Sequence, residues 1–398
     1  MNMALFAGLD TDHSYSMSRY ATGLTEALQA QYSLEHSFQL YHGPGIRLPF
    51  LLRRSRRLSA LANEGLATHV LYPRRARKWQ ADINHVLDHS YGSLVAALPP
   101  GRTVVTCHDL IPLEVPDIHP TFYSQMTGKR WYWRSVAAMT RAARIIAISE
   151  HTKRDLIKHT GYDPDRVVVI PHGIDRQFRP IEDRAQQQQI RQGLGVSEDS
   201  RIILHVGNCA PYKNLPGLLR TFALIRDRVR EPVYLIRVGP SFTASQRRLV
   251  ERLGLDGQIL RKERLPLNDL VNLYNIADVL LFPSLYEGLG LPVAEAMACG
   301  LPVVASNAAA IAEVLGESQP LDRYIWSEAE GLRIPLTFAP DDVGGMANAV
   351  VAIFENPALR QELIEQGLRQ AQRFSWLLVA QQVLAVYEQV WKDATSRA

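Results

Sequence analysis

Short apolar runs alternate with helical stretches along almost the whole of this chain, and the alternation begins afresh near its middle. In the first half, strand-like runs at Met3–Leu9, Val70–Tyr72, Ile83–Leu87, Thr103–Cys107, Arg144–Ile148 and Val167–Ile170 are separated by helical patterns at Ser18–Gln31, Trp131–Ala143 and Glu150–Thr160. Ser149 stands where the last of these helices needs an N-cap. From Arg201 the pattern restarts, with strands at Arg201–Val206, Val233–Val238, Ile259–Leu260, Val279–Phe282 and Pro302–Ala305. Helices at Asn214–Arg228, Ala244–Leu253 and Leu267–Ile276 lie between them. Strands that alternate with helices pair in parallel and are covered on both faces. A chain of 398 residues is also too long for one compact core. The expected fold is therefore α/β, with two doubly wound, Rossmann-like domains at 1–175 and 176–374 that face a central cleft. The polar stretch 176–200, with its run Gln187-Gln-Gln-Gln, reads as a linker and a helix. Ligands of doubly wound sheets bind outside the carboxyl ends of the strands.

One such end is unusually informative. Val279–Phe282 leads into Pro283-Ser-Leu-Tyr-Glu-Gly-Leu-Gly-Leu-Pro-Val-Ala-Glu-Ala-Met-Ala-Cys-Gly-Leu-Pro302. Gly288 and Gly290 make a flexible turn, and Pro292 falls near the first position of a short helix, where its missing N–H costs least. A glycine-rich turn into a helix leaves backbone amides free at a positive helix end, which suits a phosphate. Glu287 and Glu295, eight positions apart, can accept hydrogen bonds from hydroxyls on either side. The pattern describes a pocket for a sugar nucleotide; a tightly packed βα corner with one solvated glutamate has the same spacing.

The full run resembles the signature of retaining glycosyltransferase family 4, which has the GT-B fold. Thr106-Cys-His-Asp-Leu-Ile-Pro112, Ala147-Ile-Ser-Glu150, Ile170-Pro-His-Gly-Ile-Asp175 and Val206-Gly-Asn-Cys-Ala-Pro-Tyr-Lys-Asn-Leu215 are similar to segments of the same family, so the likeness spans nearly the whole chain. The resemblance implies that Glu287, His108 and Lys213 carry the chemistry. Glu287 would contact donor-sugar hydroxyls and His108 would face the donor sugar. Glu295 would accept from the ribose, and Gly288, Leu289, Gly290 and Leu291 would meet sugar hydroxyls and phosphate. Lys213 would neutralise the departing diphosphate, the main electrostatic need of such a transfer, and Gly207 and Asn208 would belong to the donor-binding loop. Relatives usually carry an arginine directly after the glycine or an Arg-Lys pair. Here those positions hold Asn208 and Tyr212, so one expected cation is missing, and Arg261, Lys262 or Arg264 are candidates to replace it or to read the base. The resemblance also implies that the apolar C-terminal helix, 375–398, crosses back onto the first domain.

After the first strand, where relatives tend to have glycines, this chain reads Asp10-Thr-Asp-His-Ser-Tyr-Ser-Met-Ser-Arg-Tyr20. We read Asp10, Asp12, Ser18, Arg19 and Tyr20 as an acceptor loop rather than a metal site. No residue pair is an evident nucleophile-and-base couple, and the resemblance implies same-face attack with retention, an arrangement that requires no metal and no cofactor beyond the nucleotide-sugar donor. The ensemble resembles bacterial mannosyltransferases, which points to GDP-mannose. A GT-B-fold epimerase acting on a UDP-sugar and a non-catalytic sugar-nucleotide or glycan-binding protein remain the other readings.

Between 47 and 78 lie nine arginines and lysines against the single acid Glu64, the first of them mixed with large apolar groups. Such a stretch can lie on an anionic bilayer, where a lipid-linked or polysaccharide-precursor acceptor would be met; it can equally be a solvated helix face. No nucleic-acid module surrounds it. Ala4–Leu9 runs straight into acidic residues rather than forming an export signal, no apolar run approaches a membrane span, and Cys107, Cys209 and Cys299 lack metal spacing. The expected location is the cytoplasm, peripherally at the inner face of the plasma membrane.

Overall fold

The computed structural model of the chain describes residues 1–9, 15–46, 61–115, 126–316, 324–327, 332–335 and 337–396. It divides into two compact units, Met1–Gly173 with Phe374–Ala398, and Ile174–Arg373. The C-terminal segment thus belongs to the first unit, and each unit is built around one parallel six-stranded sheet.

The first unit contains β1 (Asn2–Leu9), β2 (Ser37–Gly43), β3 (Ile83–Val86), β4 (Thr103–Cys107), β5 (Arg144–Ala147) and β6 (Val167–Val169), in spatial order β2-β1-β3-β4-β5-β6. Successive residues of β1 serve opposite cores, as strand pleating requires. Met3, Leu5 and Ala7 pack with Val379, Val383 and Tyr387 of the Trp376–Thr395 helix, whereas Ala4 and Phe6 pack with Tyr72 and Tyr132. That C-terminal helix lies on the Tyr15–Tyr32 helix, and its Trp376 ring sits against Gly23 and Gly173. A Cβ on Gly23 would come within 2.5 Å of the indole.

The second unit contains β7 (Arg201–Val206), β8 (Val233–Val238), β9 (Ile259–Lys262), β10 (Val279–Phe282), β11 (Val303–Ser306), the antiparallel pair β12 (Tyr324–Ser327) and β13 (Leu332–Pro335), and β14 (Thr337–Phe338). The sheet order is β14-β11-β10-β7-β8-β9, so chain direction across the sheet reverses between β10 and β7. In open α/β sheets, ligands bind in the crevice at that kind of switch point.

Two expectations fail. Val70–Tyr72 is helical, because Leu61–Leu71 runs into the Tyr72–Trp79 helix. Tyr72 is fully buried and donates from its hydroxyl to the Ala7 carbonyl at 2.6 Å, an anchor that outweighs the strand preference of three residues. Ser37–Gly43 is a strand the sequence reading passed over; at the sheet edge beside β1, only Phe38 and Gly43 are buried, so its apolar alternation is weak. Ser149 does cap its helix, accepting from Thr152 N–H at 3.0 Å.

Candidate functional site

In the second unit, β7 and β10 lie side by side, and the loops leaving their carboxyl ends are stitched together. Asn214 adopts a left-handed conformation (φ 52°), caps Gly217 N–H at 3.1 Å, and donates to the carbonyls of Pro283 and Pro340. Leu285 N–H donates to the Tyr212 carbonyl at 2.7 Å. These bonds bring Lys213, on the β7 side, to Glu287, on the β10 side. Lys213 Nζ lies 2.6 Å from Glu287 Oε1, with the two side chains only 12% and 9% exposed. The ammonium also stands 5.4 Å and 5.5 Å from the ring centroids of Phe282 and Tyr212. A cation so placed, at the switch point and at the start of two loops, is positioned to meet a phosphate, with the carboxylate beside it to accept from hydroxyls.

Gly290 (φ 90°) makes the left-handed turn that starts the Leu291–Ala298 helix, where Pro292 falls in the first turn. Gly288, Leu289 and Gly290 are buried and Leu291 is half-buried. Glu295 is also buried, and its Oε2 accepts from the Tyr274 hydroxyl at 2.9 Å. Beneath the pair, His205 on β7 stacks on Phe282; its Nδ1 donates to the Leu281 carbonyl at 3.1 Å, and its buried Nε2 has no partner among the described residues. Burial pushes this imidazole down to about 3, so it is neutral.

Asn208 is exposed, and its Oδ1 accepts from Ala210 N–H at 2.9 Å, which closes the loop on itself. Arg261 lies on β9 and pairs with Glu263 at 2.5 Å, while Arg264 is exposed. Both lie two strands from β7, outside the Lys213–Glu287 pair. The second cation in this region is one the sequence reading missed: Arg237 on β8 is fully buried beneath the Gly207–Cys209 loop. Its signal was a lone charge in the apolar run Val233-Tyr-Leu-Ile-Arg-Val238.

In the first unit, the residues at the carboxyl ends of β3, β4 and β6 form a buried imidazole network. His108 Nε2 lies 2.7 Å from the Leu87 carbonyl, which can only accept, so that nitrogen carries the proton. In the neutral ring Nδ1 is then an acceptor, and His172 Nε2–H donates to it at 2.7 Å. His108 N–H donates to His89 Nδ1 at 3.3 Å. Burial lowers the pKa of His108 and His172, the latter well below the ordinary value. Tyr20 is buried as well: its ring stacks on His172 with centroids 4.5 Å apart, and its hydroxyl meets Thr106 Oγ1 at 3.0 Å. It holds the imidazoles and offers no hydroxyl to solvent. Ser18 is exposed and Arg19 half-buried on the same helix, whereas Asp10 and Asp12 lie outside the described residues. Within its unit the structure therefore gathers His108 with Tyr20, and Lys213 with Glu287.

No helix among the described residues is long and apolar enough to cross a membrane. Among the same residues, no group of three or more His, Cys, Asp or Glu side chains is arranged to hold a metal ion. Arg74, Arg75, Arg77 and Lys78 are exposed on the Tyr72–Trp79 helix; the earlier arginines of the basic stretch lie outside the described residues.

Two family profiles match the chain: "Glycosyltransferase Family 4" over residues 17–178 and "Glycosyl transferases group 1" over residues 186–370. The chain is 30% identical over 289 residues, 71% of its length, to the serotype-specific mannosyltransferase WbdA of Escherichia coli, and covers 33% of that protein. It thus spans about a third of the length of such relatives. It is 27% identical to the O-antigen chain mannosyltransferase B of Escherichia coli, covering 94% of this chain and 95% of that one. Among solved structures, sucrose-phosphate synthase of Thermosynechococcus elongatus superposes with a TM-score of 0.73 at 21% identity, over 98% and 99% of the two chains. WaaG, a glycosyltransferase of lipopolysaccharide biosynthesis, superposes with a TM-score of 0.69 at 16% identity, over 97% and 99%.

Proposed function

The chain belongs to the family 4 glycosyltransferases of the GT-B fold, and from that premise we propose that it moves a hexose from a nucleotide sugar to a glycan or lipid-linked acceptor. The observation that carries the reading is the Lys213–Glu287 pair at the β7/β10 switch point. In a retaining, same-face transfer, the bond from the anomeric carbon to the diphosphate oxygen breaks as the acceptor oxygen bonds to that carbon. The departing phosphate takes the acceptor's proton. The protein's work is then to position the reactants and to stabilise charge on the leaving group. Lys213 exchanges its carboxylate partner for the diphosphate, and Glu287, released, accepts from a donor-sugar hydroxyl. The likeness to two Escherichia coli mannosyltransferases supports mannose, and with it GDP-mannose, as the donor. His108 acts as a neutral imidazole held by His172 and the Leu87 carbonyl, rather than as a proton carrier.

The test begins with a thermal-shift screen of GDP-, UDP-, ADP- and dTDP-sugars and continues with transfer to a lipid-linked saccharide fraction. Lys213→Ala and Glu287→Ala are each expected to lower the rate by about 100-fold or more. Wild-type rates in both variants would refute the site. Conversion of the donor alone into an epimer would instead identify an epimerase.

A further inference from the structure

Among the described residues, Arg237 is the one buried arginine of the second unit's sheet, and the pair above gives no account of it. It is fully buried on β8, and among the described residues no carboxylate lies within 4.0 Å of it. A guanidinium stays charged in proteins, and an isolated buried charge is costly unless an anion compensates it. Phe242 lies under it with the ring centroid 4.9 Å away, a weaker partner than an anion. Its Nε has no hydrogen-bond partner among the described residues.

The other guanidinium nitrogens grip two loops at once. Nη2 donates to the Gly207 carbonyl at 3.3 Å and to Cys209 Sγ at 3.0 Å, and Nη1 donates to the Pro240 carbonyl. The loops approach so closely that only glycine fits at 239, where φ is +152° and a Cβ would collide with the Gly207 carbonyl. In a trans peptide the C=O and the following N–H point in opposite directions. Pinning the Gly207 and Pro240 carbonyls onto Arg237 therefore turns the N–H groups of Asn208 and Ser241 away from it. Neither N–H has a hydrogen-bond partner among the described residues. Two free amides turned outward from a buried cation are donors of the kind an anion takes.

Resting on the glycosyltransferase reading, we propose that Arg237 replaces the cation missing at Asn208: it is the positioning residue that aims the Asn208 and Ser241 amides at the donor's diphosphate and supplies the positive field behind them. Arg237 does not touch the ligand. This accounts for the absence of a loop arginine without recruiting Arg261, whose guanidinium is paired with Glu263, the carboxylate that also accepts from the Ser241 hydroxyl at 3.1 Å.

The experiment measures binding of three probes by calorimetry: whichever of GDP, UDP, ADP and dTDP binds the wild-type chain most tightly, its free nucleoside, and inorganic pyrophosphate. Arg237→Met is expected to weaken the diphosphate and pyrophosphate by about ten- to hundredfold and to leave the nucleoside within about twofold. Arg237→Lys, which keeps the charge but not the fork, should recover part of the loss. An unchanged ratio of diphosphate to nucleoside affinity in folded Arg237→Met overturns the proposal. Should that variant not fold, hydrogen exchange in the wild-type chain decides. Diphosphate should slow exchange in the segments 206–210 and 239–243, and no protection there overturns the proposal. Wild-type protein that binds none of the four diphosphates would sink the glycosyltransferase reading and this proposal together; binding that is indifferent to Arg237 sinks this one alone.

Discussion

The Lys213–Glu287 pair can be tested by a double-mutant cycle that needs no substrate. At 2.6 Å, with side chains 12% and 9% exposed, it lies between a surface ion pair, worth roughly 0.2–1 kcal/mol, and a fully buried one, whose breaking costs about 3–5 kcal/mol. The two single variants should differ. Lys213→Met strands a nearly buried carboxylate and is expected to cost about 3 kcal/mol. Glu287→Gln keeps an amide oxygen near the ammonium, which still has Phe282 and Tyr212 beside it, and is expected to cost about 1.5 kcal/mol. The double variant removes both charges and should cost less than the two singles together, leaving a coupling energy of about 2 kcal/mol. Equilibrium urea unfolding gives all four free energies, and a unit of this size should shift its midpoint temperature by about 2–4 °C per kcal/mol. The coupling should survive molar salt, since a desolvated pair is screened little. Additivity within about 0.5 kcal/mol would show that the charges do not interact, and the site as drawn would be wrong.

Three further outcomes follow from the geometry. Gly23→Ala drives a methyl into the Trp376 ring and should destabilise the first unit by about 1–3 kcal/mol; Trp376→Leu in the same chain should restore most of it, and equal losses in both backgrounds would refute the contact. His205, unprotonated until about pH 3 when folded but titrating near 6.5 when unfolded, binds more protons unfolded between those values, so stability is lost as pH falls through that window, by roughly 1.4 kcal/mol per pH unit for this residue. Urea unfolding of His205→Phe from pH 7 to pH 4 should show a slope shallower by that amount, and an unchanged slope would contradict a buried neutral imidazole. Changing Arg53, Arg54, Arg56 and Arg57 to Gln should abolish sedimentation with vesicles containing phosphatidylserine, if the basic stretch meets an anionic bilayer; undiminished binding would refute that contact.

Much of this protein is written locally. The runs Thr103–Cys107, Arg201–Val206, Val233–Val238 and Val279–Phe282 are strands with the bounds their apolar patterns mark, and Ser149 and Asn214 cap the helices that follow them. Burial on both faces makes such strands continuously apolar, so they are legible without knowledge of neighbours. Glycine and proline likewise marked the turn at Gly290 and the helix start at Pro292, because they act through backbone conformation alone. The Glu287 run and Lys213 were legible as motifs, each on its own loop.

Tertiary structure decided what those residues meet. Lys213 and Glu287 are 74 positions apart, and only the pairing of β7 with β10 makes them partners. His108 and His172 are separated by 64 residues, and the proton on His108 is assigned only by the Leu87 carbonyl opposite it. Tyr20, on a helix whose pattern shows a face but not its depth, proved to be the floor under those imidazoles. Arg237 is in sequence only a lone charge in an apolar run, and the approach of Gly207 to Gly239 is what gives its guanidinium two loops to hold. Hydrophobic periodicity and backbone preference act over a few residues, so one chain displays them. Ion pairing, tautomer choice and the cost of a buried charge depend on distances across the sheet, and those exist only once the strands have taken their order.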